Sequence, residues 1–274
     1  NAATSKDFTH YYITIPSKYF SEALSLHADM LLNPLIPRKE LENERKVVLE
    51  EISKDETSPN NIVYENLVKM LYNTHPYKRK VIGEQNIIST IHRDEILDYY
   101  NKWYSPSNMI TVIVGDVNAQ DVLEKVKQNF TSEIKKSPKP IYPKEEQLKK
   151  QKRQVEYLKT QSGYMLIGFR GVNINNDDSY ALDVLATILG EGRSSVFYKT
   201  IKDKLQLATS ISASNSGFKD DGIFYISAAF NPEKEERLEN EIFSQIKQIQ
   251  KNGVTQEQTN LAKNVIERDT YYAR

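Results

Sequence analysis

A chain of 274 residues with 37 basic and 37 acidic side chains carries no net charge, which removes the electrostatic argument for binding nucleic acid or an anionic membrane surface. It contains no cysteine, so thiolate chemistry, disulfides and cysteine-held zinc are excluded. The length suits a sizeable core and two domains, and no apolar run approaches the roughly 20 residues of a membrane-spanning helix.

The polar opening, Asn1, Ala2, Ala3, Thr4 and Ser5, leads into an aromatic and β-branched run over 8–15 that predicts a strand. Pro16 and Ser17 open a helix to about residue 32, with Ser17 as its cap. Pro34 and Pro37 break the chain, and a helix follows from about 37 to 54. Further helices are predicted over 61–71, 94–103 and 119–130, with a strand at 109–114 that ends at Gly115 and Asp116. From 131 to 154 lysine and proline replace apolar periodicity, which reads as a linker between domains at 1–130 and 155–274. The second half predicts a strand at 164–169, a helix at 179–189 and a break at Gly190 and Gly192. A short helix at 194–202, strands at 207–213 and 222–230, and helices at 232–249 and 255–272 complete it.

The helix over 37–54 carries the pattern with most chemical content. Seven residues return a helix to within about 20° of the same direction, so Glu44 and Glu51 point the same way. Leu41, Val48 and Ile52 mark one edge of an apolar arc and Val47 the other, with the two glutamates between them. Carboxylates inside an apolar arc are costly unless a metal ion or a cation meets them. Two glutamates at this spacing are also common on ordinary surface helices, so both readings stand at this level.

An internal echo bears on the choice. The strand at 8–15 with its two helices matches the strand at 222–230 with its two helices in order and approximate length. Val47 and Val48 then fall opposite Val265 and Ile266, Glu44 opposite Ala262, and Glu51 opposite Asp269. The apolar stripe is kept and the glutamate pair is not, so the carboxylates are not required by packing.

Other candidates are weaker. None of His10, His27, His75 and His92 forms an i, i+4 metal pair; His27 reads as a packed or exposed helical residue and His75 as a loop residue before Pro76. Ser194 and Ser195 follow a glycine break but lack the surroundings of a nucleophile elbow. Gly190 and Gly192 read as a tight turn, since no P-loop lysine follows. The 17 tyrosines are not interleaved with basic residues, which argues against a stacking platform for single-stranded nucleic acid.

Several of these stretches, in this order and spacing, resemble the pitrilysin/insulinase-type zinc peptidases, in particular their mitochondrial processing peptidase-like branch. They are Asn1, Ala2, Ala3 and Thr4; Glu44, Arg45, Val47, Val48, Leu49 and Glu51; His75, Pro76 and Tyr77 with Ile82 and Gly83; the run from Tyr104 through Pro106 and Asn108 to Gly115 and Asp116; and Leu189, Gly190, Gly192, Arg193 and Ser195. The resemblance implies an α+β fold of two duplicated domains, each a mainly antiparallel sheet packed with helices. It implies a zinc metalloendopeptidase that hydrolyses peptides held between the two domains. Glu51 is then a zinc ligand, Glu44 a supporting carboxylate behind it, and Asn1, Ala2, Ala3 and Thr4 an edge strand that takes the peptide substrate by strand addition.

The family's remaining ligands and its general base lie in a His-x-x-Glu-His motif upstream of that strand, and the motif is absent from this sequence. The chain is therefore expected to be a piece cut on its N-terminal side and, from its unfinished second copy, on its C-terminal side too. No catalytic residue is expected on it, nor tight zinc binding, nor peptide cleavage. The family's substrate-reaching arginine and tyrosine are replaced by Leu205 and Thr209, which implies a related second subunit that supplies those contacts. A non-catalytic partner or scaffold subunit of the same fold is the rival reading, and an unrelated binding module a third.

Overall fold

The computed structural model describes residues 1–131 and 142–272. Positions 132–141 of the expected linker lie outside the described residues. In chain order the elements are β1 (Ala2–Thr4), β2 (Thr9–Tyr11), α1 (Phe20–Leu32), α2 (Arg38–Thr57) and α3 (Pro59–Leu71). Next come α4 (Gln85–Thr90), α5 (Arg93–Trp103), α6 (Ala119–Asn129), β3 (Gly163–Arg170) and α7 (Asp178–Gly190). The chain ends with β4 (Ser210–Ser216), β5 (Ile223–Phe230), α8 (Glu235–Asn252) and α9 (Gln256–Tyr272). The expected mixture of helices and small antiparallel sheets is present, so the fold is α+β.

Two compact units group these elements: Asn1–Lys54 with Lys80–Pro143, and Asp55–Arg79 with Lys144–Arg274. The stretch Asp55–Arg79 thus belongs with the C-terminal half, which its distance along the chain does not suggest. Its allegiance follows from burial. In the second unit a three-stranded antiparallel sheet has the order β3-β5-β4, with Gly163 opposite Phe230 and Ser216 opposite Ile223. Side chains alternate across a strand. On β5 the even positions Phe224, Ile226, Ala228 and Phe230 enter one core with Leu189, Phe197, Ile201, Leu238 and Ile242. The odd position Ile223, with Tyr225 beside it, enters another with Leu67, Val68 and Leu71 of α3 and with Tyr72 and Tyr77. Helix α3 supplies the cover that the odd face requires.

Close approach explains one glycine. A Cβ on Gly190 would lie 2.0 Å from the backbone nitrogen of Ala213, so only glycine lets α7 meet β4 there. The short helix expected over 194–202 forms instead as a π-helix at Tyr198–Lys204.

Polar contacts fix the chain that follows α3. The Glu145 carboxylate accepts the backbone N–H groups of Asn73 (2.8 Å), Thr74 (2.9 Å) and His75 (2.7 Å), and the Thr74 hydroxyl at 3.0 Å. Arg170 donates to the carbonyls of Leu71 (2.7 Å) and Glu146. The Tyr72 hydroxyl donates to the Asp221 carbonyl at 2.6 Å. Burial pushes the Glu145 carboxyl upward, but the four hydrogen bonds together outweigh it and hold the group at about 2 against an ordinary 4.5.

The first unit is sparsely packed. A two-stranded antiparallel hairpin, Ala2 opposite Tyr11 and Thr4 opposite Thr9, is its sheet among the described residues. Of its apolar side chains, Leu24, Ala28 and Ile52 are buried. The strand expected over 109–114 does not form. The stretch has the alternation of a strand, but Ile110 (92 %), Val112 (77 %) and Val114 (92 %) are exposed and no neighbouring strand pairs with it among the described residues. A strand exists only through its partner, so pattern alone is insufficient here.

Two outcomes test this description. Glu145→Gln is expected to destabilise the fold by about 1–3 kcal/mol at pH 7, read by chemical denaturation. Because the carboxyl is depressed in the folded state, its contribution is complete above pH 4.5 and is lost as pH falls through about 2. The deficit of the variant should shrink over that window, and a constant deficit would contradict the assignment. Changing Ile110, Val112 and Val114 together to threonine should reduce binding of an apolar dye without lowering the melting temperature. Unaltered dye binding would mean that this stretch is covered in solution.

Candidate functional site

Helix α2 starts after Pro37, whose fixed φ and missing N–H suit a helix entry, and its first turn carries Glu40. Its packed side comprises Leu41, Arg45, Val48 and Leu49, all half-buried, and Ile52, which is 1 % exposed. Glu44 and Glu51 are exposed, and Val47 between them is 55 % exposed. This corrects the sequence expectation in one respect. The edge marked by Leu41, Val48 and Ile52 is packed, whereas the edge marked by Val47 is open, so the carboxylates stand on a bare face. Neither makes a hydrogen bond or an ion pair with the described residues. Glu44 rims a shallow cleft of about 330 Å³ whose walls include Ile36, Leu41, Val47 and Glu40.

The second unit offers a comparison. Helix α9 packs on α7, and Ala262, which aligns with Glu44, is 2 % exposed and the one buried residue of α9. The corresponding face of α2 has no such neighbour among the described residues.

The remaining expected residues sit as follows. Ala2, Ala3 and Thr4 form β1, exposed along its length and paired on one side with β2; Asn1 exchanges hydrogen bonds with Tyr12 at 3.0 Å and 2.9 Å. The other edge of β1 has no strand beside it among the described residues. No hydrogen bond joins Asn1, Ala2, Ala3 or Thr4 to Glu44 or Glu51. Leu205 closes the π-helix and is partly exposed, and Thr209 donates its N–H and hydroxyl to the Ala229 carbonyl at 2.8 Å and 2.9 Å.

His27 is half-buried in α1, where burial, followed by the nearby N-terminal charge, lowers its pKa. His75 lies in a connection, as expected, but is buried rather than loose. Its Nδ1 accepts the Tyr77 N–H at 3.2 Å, which leaves the proton on Nε2 to donate to Asp220 at 3.1 Å. The aromatic run Tyr72, His75, Tyr77 was the available signal for that burial.

A catalytic zinc takes three protein ligands and a water. Among the described residues no three histidine, aspartate or glutamate side chains are grouped to hold a metal ion. Glu51 brings the right donor chemistry, a free carboxylate, but the residues present do not make up such a site by themselves.

Comparison with known proteins follows the same lines. The family profile described as Insulinase (Peptidase family M16) matches residues 1–85, and the one described as Peptidase M16 inactive domain matches residues 90–266. The zinc protease PqqE of Helicobacter pylori is 30% identical over 262 residues, 93% of this chain and 59% of that protein. The uncharacterized zinc protease YmxG of Bacillus subtilis is 26% identical over 255 residues, 93% of this chain and 62% of that protein. The chain thus spans about three-fifths of the curated relatives it matches. Among solved structures, a protease from Helicobacter pylori superposes with a TM-score of 0.87 at 28% identity, over 99% of this chain and 67% of that one. A peptidase M16 inactive domain from Pseudomonas fluorescens shares the fold, with a TM-score of 0.82 at 19% identity over 92% of this chain and 61% of that one. With the two profiles in tandem over 1–85 and 90–266, the chain belongs to the insulinase family, peptidase family M16.

Proposed function

We propose that this chain is part of a zinc metalloendopeptidase, in which Glu51 supplies one carboxylate to the metal and Glu44 supports it. The observation that carries the reading is the bare face of α2: two carboxylates without partners among the described residues, flanking an exposed valine, where Ala262 and Val265 of α9, aligned with Glu44 and Val47, are buried and half-buried. A helix that left such a face to water would gain nothing from Val47, whereas a face that meets further protein and a cation uses all three side chains. The names of the curated relatives, zinc proteases, agree with it.

The remaining ligands and the general base are then supplied by sequence in a longer polypeptide. The chain by itself is inactive, because one carboxylate cannot impose the geometry of a catalytic zinc site. Substrate is an extended peptide, added to the free edge of β1 through backbone hydrogen bonds. The exposed alanines at 2 and 3 leave that edge unobstructed by side-chain bulk.

A second reading, a non-catalytic partner or scaffold subunit, is favoured by Leu205 and Thr209. Neither side chain can clamp a peptide carbonyl or carboxylate with directed charged donors, as an arginine fork does. On the first reading those contacts come from a related second chain.

Calorimetric titration of the chain with zinc should show at most weak binding. A submicromolar site that Glu51→Gln abolishes would mean that unidentified ligands exist here. In a longer protein of the relatives' length, Glu51→Gln should remove tight zinc binding, and Glu44→Gln should weaken it by roughly 10–100-fold. Stoichiometric zinc retained after Glu51→Gln would move the ligand to another residue, and no tight zinc in the unaltered longer protein would leave the scaffold reading in its place. Full peptidase activity from an isolated monomer would dispose of the second chain.

A further inference from the structure

Ile52 is the one buried apolar residue of α2, with Leu41, Val48 and Leu49 half-buried beside it, and polar contacts add to this sparse packing in fixing the direction of the face that carries Glu44 and Glu51. Two arginines make these contacts. Arg45, midway along α2 and 13 % exposed, donates through Nη1 to the Ile88 carbonyl and through Nη2 to the Ile91 carbonyl at 2.8 Å. Ile88 lies in the last turn of α4, where carbonyls have no partner within the helix, and Ile91 is its cap. A guanidinium there completes the helix end and meets its negative dipole. The same side chain is paired with Glu42, so its charge is not left alone.

Arg93, the first residue of α5, makes the return contact. Its Nε donates to the Ile36 carbonyl at 2.6 Å and its Nη2 to the Leu35 carbonyl at 2.8 Å. Those two carbonyls form the turn that enters α2. Ile36 has φ of 40°, a left-handed conformation that is a genuine outlier for a β-branched residue, and it precedes Pro37. Such a conformation persists only where its surroundings impose it, and the fork of Arg93 holds both of its carbonyl groups.

We propose that Arg45 and Arg93 are positioning residues, a reciprocal clasp that sets the rotation of α2 and thereby the direction in which Glu44 and Glu51 face. One arginine reaches from α2 to the α4–α5 junction, and the other reaches from α5 back to the entrance of α2. Each bridges two carbonyls through separate nitrogens of one rigid plane, a direction that an ammonium on a flexible stem does not fix. The consequence for chemistry rests on the proposed role of Glu51; the clasp itself does not.

The absence of cysteine makes the test direct. Single cysteines are placed at Glu51, which is exposed, and at Ile52, which is buried, in the full 274-residue chain. Their rates of modification by a thiol reagent are then compared. With both arginines present, Ile52→Cys should react at least about tenfold more slowly than Glu51→Cys. In the Arg45→Met, Arg93→Met background the difference should fall below about threefold while helical circular dichroism is retained. Arg45→Lys, which keeps the charge but not the planar fork, should give a difference between those of the unaltered and double-methionine chains.

Because Arg93→Met loosens the turn by leaving the strain at Ile36 unopposed, Ile36→Gly supplies an independent check. Glycine adopts positive φ without cost, so it should restore the tenfold difference in an Arg93→Met chain, to within about twofold. An unchanged difference in the double-methionine chain overturns the clasp, as does failure of Ile36→Gly to rescue. These readings need no peptidase activity. A lost difference together with zinc binding indifferent to Glu51→Gln would uphold the clasp and sink the zinc assignment alone.

Discussion

Strand β5 is buried on both faces, and the second unit is arranged to satisfy that constraint. A central strand whose alternate residues are all apolar or small must find cover above and below the sheet. Phe224, Ile226, Ala228 and Phe230 find it in α7, α8 and the π-helix. Ile223 and Tyr225 find it in α3, Tyr72 and Tyr77. The hydrogen bonds of Glu145, Arg170 and Tyr72 then hold the chain after α3 in register with that second core. They are secured by apolar burial and contribute direction more than adhesion.

The two units solve the problem of order by different means. In the second, close-packed side chains determine where each helix lies. In the first, with few buried apolar residues, guanidinium groups bound to backbone carbonyls supplement the packing of Ile52 in placing α2. Such contacts are directional and short in range. They suit an element that must present a face outward, because they anchor its back without covering its front.

How much of this was legible in the sequence can be argued element by element. Helices with strong periodicity, such as those around Val48 and Ile242, were placed within a few residues, because an amphipathic pattern belongs to the segment itself. The stretch around Val112 has an equally clear pattern but no strand, since pairing depends on another segment. Helix α4 escaped notice because six residues carry too little periodicity to register. The identities of Glu44 and Glu51 were visible as a pattern; their openness was not, because a helical wheel cannot say which part of an apolar arc is occupied. Leu67, Val68 and Leu71 indicate a buried face for α3, but not that its counterpart lies on β3 and β5. The two arginines were invisible for a related reason: their partners are carbonyls, which every residue possesses.

The pairing of α3 with β5 also imposes an order on synthesis. The Tyr72 hydroxyl and the Asp221 carbonyl it binds are separated by 149 positions in the chain. At ribosomal rates of about 5–20 residues per second, the apolar side of α3 waits roughly 5–20 s after emerging for β3, which packs on it, and roughly 7–30 s for β5, which completes that core. Until β3 emerges, Leu67, Val68 and Leu71 face the aqueous surroundings of a nascent chain. Contacts this distant along the sequence slow folding and lengthen exposure to aggregation. A holdase that shields the α3 stretch during this interval would therefore influence yield more than one acting on the β4–β5 hairpin, whose strands follow one another within a few residues.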